Sequence, residues 1–102
     1  MMEMLESKRD AISKVCKRYG VIRLDAFGSA LRGDFQPGHS DVDLLVEFGP
    51  MESYARVDAY FGLLEDLRAI LGEQVDLVVS GAVKNSYIAR DIEETKELLY
   101  AA

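Results

Sequence analysis

The chain has 102 residues, 49% of them hydrophobic, one cysteine and a formal net charge of −6 at pH 7. That length predicts one domain over residues 1–102 with one core, and no run approaches the roughly 20 apolar residues of a membrane span. The acidic balance argues against a surface that grips nucleic acid, which is normally basic, while lone Cys16 excludes an internal disulfide and fits a reducing cytoplasm.

Met1 to Asp10 mixes acids and bases and does not read as a signal peptide. From Glu3 to Tyr19, Leu5, Ile12, Val15, Cys16 and Tyr19 recur at helical spacing, and Gly20 stands where a helix C-terminal glycine belongs. Val21 to Phe27 reads as a strand. Gly28-Ser29 then turns the chain into one helical turn through Arg32, and the glycines and Pro37 between Gly33 and Ser40 mark a loop. Val42, Leu44, Leu45, Val46 and Phe48 form the clearest strand, closed by Gly49-Pro50.

Glu52 to Leu71 is the strongest helix, expected to bury Val57, Tyr60, Phe61, Leu64, Leu67 and Leu71 on one face, with Gly72 ending it. Tyr54, Tyr60 and Phe61 are accordingly read as packing residues. Val75 to Val79 is a third strand, and Ser80 or Asn85 caps a last helix running towards Glu94. Lys96 to Tyr100 fits either an extension of that helix or an edge strand. The order of elements predicts an α/β (α+β) domain, a small mixed sheet flanked by helices.

Asp41 and Asp43 are two apart on a strand, so both side chains leave the same face. Two neighbouring carboxylates are costly to bury unless cations neutralise them, and Mg²⁺ suits oxygen ligands beside substrate phosphates. Read alone, the pair fits equally an exposed Asp41 and an Asp43 bonded to a loop. Gly28-Ser29 at a strand end supplies backbone N–H groups and a hydroxyl for a phosphate, although Gly-Ser is also an ordinary turn. Arg32 fits a phosphate ligand or a solvated loop arginine. Asp76, set among branched apolar residues, needs a partner if buried; a third strand beside the second would bring it to Asp41 and Asp43. His39 lacks companion ligands for zinc, Cys16 reads as core, and the Gly-Ser turn lacks the Gly-Lys-Ser/Thr ending of a Walker A loop.

Gly28-Ser29, Arg32-Gly33, Ser40-Asp41-Val42-Asp43-Leu44-Leu45-Val46 and Val75-Asp76-Leu77-Val78 occur in one order. That series resembles the minimal nucleotidyltransferase (MNT) domain of the DNA polymerase β superfamily over nearly the whole chain. The resemblance implies a polymerase-β-like core in which Gly28 and Ser29 bind the triphosphate of ATP; Arg32 as a contact to the leaving phosphates is added from its position in this sequence and not from the resemblance. It implies that Asp41, Asp43 and Asp76 hold two Mg²⁺ ions and act in catalysis. Chains of this size resemble the antitoxin half of HEPN/MNT (type VII) toxin–antitoxin pairs. The resemblance therefore implies AMP transfer to a tyrosine of a HEPN ribonuclease toxin encoded next door, within a homodimer or hetero-oligomer. Two alternatives stand beside it: a small-molecule, aminoglycoside-type nucleotidyltransferase, and a non-catalytic module that masks a toxin.

Overall fold

The computed structural model describes residues 3–32 and 35–102. The expected N-terminal helix is two: α1 (Glu3–Ser7) and α2 (Arg9–Arg18), divided at Lys8, whose ψ of 7° departs from helical geometry. Beyond them lie β1 (Val21–Phe27), the single turn α3 (Ser29–Arg32), β2 (Val42–Phe48), α4 (Ser53–Leu71), β3 (Val75–Val79), α5 (Ser86–Thr95) and β4 (Glu97–Ala101). Among the described residues no helix is long and apolar enough to cross a membrane. Gly33 of the expected loop lies outside the described residues.

The four strands form one mixed sheet in the order β3-β2-β1-β4. β1 pairs antiparallel with both β2 and β4, while β2 and β3 run parallel across the α4 crossover. The ambiguous C-terminal segment is thus an edge strand. It pairs with the open side of β1, with one register shift between Leu24 and Asp25, where a continued helix would leave that side unpaired. Of the two proposed caps, Asn85 serves: its side chain accepts the N–H groups of Tyr87 at 2.9 Å and Ile88 at 3.2 Å. Gly72 closes α4 in the left-handed conformation (φ 67°) with its N–H on the Arg68 carbonyl.

One sheet face carries Leu24, Ala26, Val42, Leu44, Val46, Val75 and Leu77 into the core beneath α2 and α4. Helix α4 corrects the expected burial pattern. Ala59, Leu63, Leu67 and Leu71 are its buried residues, while Tyr54, Val57 and Phe61 are exposed. Of the three aromatic residues read as packing, only Tyr60 packs on the core, and its hydroxyl donates to the Leu77 carbonyl at 2.6 Å. Close approach of α2 and α4 depends on Gly62, where a Cβ would fall 2.6 Å from the Tyr19 ring. The opposite sheet face meets α5, with Leu45, Ala89 and Ile92 around a small cavity. That face also carries the candidate chemistry.

Candidate active site

β1 ends at Phe27, and Gly28 turns the chain with φ 70°, a backbone region costly to residues with a Cβ. The turn starts α3, with the Leu31 N–H on the Gly28 carbonyl at 3.0 Å. The Ser29 hydroxyl lies 3.4 Å from the Asp41 carbonyl and ties the turn to the residue before β2. The side chain of Arg32 lies outside the described residues, so its expected phosphate contact has no geometry here.

Register then gathers the acids. In the antiparallel β1–β2 ladder Phe27 stands opposite Asp43, and in the parallel β2–β3 ladder Asp43 stands opposite Asp76. Residues directly opposite in a sheet share a face, so Asp43 and Asp76 project side by side. Asp43 is half-buried and its carboxylate lies against Gly28, while Asp41 and Asp76 are exposed. Asp41 immediately precedes β2, with the neighbouring Val42 N–H on the Gln74 carbonyl at 2.8 Å. The strand arrangement therefore brings the Gly-Ser turn, Asp43 and Asp76 to one end of one sheet face, with Asp41 at its rim.

Among the described residues no group of three or more His, Cys, Asp or Glu side chains is gathered closely enough to hold a metal by itself. The donor chemistry nevertheless suits magnesium. That ion takes hard oxygen ligands, keeps several waters, and is usually held by one or two carboxylates together with substrate phosphates. Adjacent Asp43 and Asp76 meet that requirement.

Sequence reading missed Asp25. Among the described residues it is the one fully buried charged side chain, 1% exposed, on the same face two residues before Phe27. Arg23 clamps it through two bonds, Nε to Oδ2 at 2.9 Å and Nη2 to Oδ1 at 3.0 Å. The bonds to Asp25 and its charge hold the Arg23 guanidinium above its ordinary pKa. The signal was present: Arg23-x-Asp25 places opposite charges on one face of a strand, where they meet.

This layout of turn, paired aspartates and mixed sheet agrees with a family comparison in which residues 8–99 match the nucleotidyltransferase domain. The chain belongs to that family. As a nucleotidyltransferase it is similar to a Methanocaldococcus jannaschii protein named for protein adenylyltransferase activity, 38% identical over 97% of this chain and 99% of the relative. It is also similar to the protein adenylyltransferase MntA of Thermococcus cleftensis, 36% identical over 97% of this chain and 94% of that protein. A solved minimal nucleotidyltransferase shares 28% identity, covers 95% of both chains and superposes with a TM-score of 0.77. The fold also resembles, at 18% identity and a TM-score of 0.62, a Shewanella oneidensis complex of an MNT antitoxin with a tri-AMPylated HEPN toxin, covering 96% of this chain and 73% of that one.

Proposed function

We propose that this nucleotidyltransferase is a Mg²⁺-dependent protein adenylyltransferase, moving AMP from ATP to a tyrosine of a HEPN-type toxin and thereby acting as its antitoxin in the cytoplasm. The observation that carries the reading is the side-by-side register of Asp43 and Asp76 next to the Gly28-Ser29 turn. The names of the relatives support the protein acceptor, and the antitoxin–toxin complexes among the structural neighbours support the toxin.

In this reading Gly28 and Ser29, with Arg32, receive the β- and γ-phosphates through backbone N–H groups, a hydroxyl and a guanidinium. Asp41 and Asp43 would hold the metal with the α-phosphate, and Asp76 would complete the set on the acceptor side. Bound magnesium supplies charge neutralisation at the attacking and leaving oxygens. Asp76 accepts the proton of the acceptor hydroxyl. The oxygen then bonds to the α-phosphorus, the α–β bridging bond breaks, and pyrophosphate departs. The Ser29 hydroxyl turns its one hydrogen from the Asp41 carbonyl, 3.4 Å away, to the leaving phosphates and aligns them with the carboxylates.

The test is incubation with labelled ATP, Mg²⁺ and the HEPN-type protein encoded beside this one. The expected result is label on a tyrosine of that protein, lost with EDTA and lowered at least ~100-fold by Asp41→Ala with Asp43→Ala. No transfer by the unaltered chain, or transfer that survives the double substitution, would overturn the reading.

A further inference from the structure

Helix α4 presents an apolar stripe to solvent. Tyr54 is 74% exposed, Val57 55% and Phe61 61%, and their spacing of three and four residues sets them on one helical face. The stripe borders a cleft of about 360 Å³ between α4 and the ends of β2 and β3, lined by Phe48, Val57, Tyr60, Phe61 and Val79, with Arg56 at its wall. The cleft is preformed. Tyr60 is anchored by its hydroxyl on Leu77, and the Phe61 ring meets it edge-on at 5.2 Å and 89°. A contiguous exposed apolar surface of this kind marks an interaction site.

The cleft stands away from the candidate chemistry. Asp43 is the second residue of β2 and Phe48 the last, and the five-residue step between them spans ~16 Å. Val42, Leu44 and Val46 face the core beneath α4, so Asp43 and Asp76 leave the sheet on the face away from the cleft.

Charge selects the occupant. Asp58 and Glu65, both exposed, fall on the same helical face as the stripe, and the whole chain carries −6. Pairing two copies through this face would bring the acidic edges and two acidic molecules together, whereas a basic partner gains from the same field. Arg56 in the cleft wall can stack on an aromatic side chain inserted there.

We infer that the α4 stripe and its cleft form the docking surface for the protein acceptor, which inserts a large apolar or aromatic side chain into the cleft and sets basic residues against Asp58 and Glu65. The inference rests on the protein-acceptor reading given above. Anchoring ~16 Å from the carboxylates supplies binding energy from a part of the acceptor that does not react, which orients the part that does.

The experiment uses the full chain and the HEPN-type protein shown to take label from ATP. Phe61→Asp and Val57→Asp are each measured for affinity to that protein, for kcat/KM of AMP transfer, and for affinity to Mg²⁺-ATP. Both residues are exposed, and circular dichroism checks that each variant folds. The expected result is at least ~30-fold weaker binding to the protein and a matching fall in kcat/KM, with Mg²⁺-ATP affinity unchanged. Asp58→Lys with Glu65→Lys should lower the association rate about tenfold and reduce its dependence on salt. Unchanged protein binding in the Phe61 and Val57 variants overturns the inference. So does a dimer of the unaltered chain that Phe61→Asp dissociates, because the stripe then belongs to a second copy. Failure of the unaltered chain to label any protein overturns the catalytic reading instead, and the two failures are distinct.

Discussion

The carboxylate of Asp43 is seated against the Cα of Gly28, so closely that a Cβ at position 28 would collide with its Oδ2 and lie 3.1 Å from its Cγ. Gly28 therefore serves two ends. It turns the chain with a positive φ, and it leaves room for an acid on the neighbouring strand.

Gly28→Ala tests that double role. The left-handed backbone costs a residue with a Cβ about 1–2 kcal/mol, and the added methyl displaces Asp43. Urea denaturation should show a loss of about 1–3 kcal/mol, while AMP transfer falls at least about tenfold because the carboxylate is misplaced. Transfer that stays intact in a folded Gly28→Ala protein would contradict the seating of Asp43.

The Arg23–Asp25 clamp makes a second prediction. Asp25 is buried and Arg23 half-exposed, so removing the arginine leaves a carboxylate enclosed without its two bonds. Arg23→Met should lower the urea midpoint markedly, and adding Asp25→Leu should recover part of the loss. A double variant less stable than Arg23→Met alone would count against a clamp that offsets buried charge.

Gly62→Ala sets two effects against each other. Alanine in a helix interior gains roughly 1 kcal/mol over glycine, but the new methyl meets the Tyr19 ring, which is held by its hydroxyl on Asp66 at 2.9 Å. Overpacking of a fixed ring costs about 1–3 kcal/mol, so the clash wins and the melting temperature should drop by several degrees. In a Tyr19→Ala background the sign should reverse, and calorimetry of the four proteins reads both values.

Burial pushes the Cys16 thiol up to about 12. At pH 8 the native protein should react with a thiol reagent only as fast as it unfolds. The raised value also fixes a pH trend. Above the ordinary thiol value of 9.0 the unfolded chain ionises while the folded one does not, so this contribution to stability is present below pH 9 and declines between 9 and about 12. Rapid native-state labelling at pH 8 would contradict the burial.

Much of the candidate site was legible because its signals are local. Gly-Ser at a strand end, Asp-x-Asp on one strand face and Asp76 among apolar residues each follow from a few neighbouring positions. Helix α4 shows where locality fails. It carries a stripe of Ala59, Leu63, Leu67 and Leu71 and another of Tyr54, Val57 and Phe61, and periodicity alone does not say which one meets the sheet. The Leu98-Leu99-Tyr100 run has the same ambiguity, since an apolar segment satisfies a helix or a strand equally until an edge is available to pair with it.

The sequence by itself determined where β1, β2, β3 and α4 lie, the glycine turn and the identity of the acids, because turn chemistry and side-chain period are set within a few residues. Only the tertiary structure decided that Asp43 faces Asp76, that Asp43 seats on Gly28, that Arg23 clamps a buried Asp25, and which stripe of α4 stays in water. Those outcomes depend on register and burial between strands and helices far apart in the chain, where one residue of slip would send every side chain of a strand to the other face.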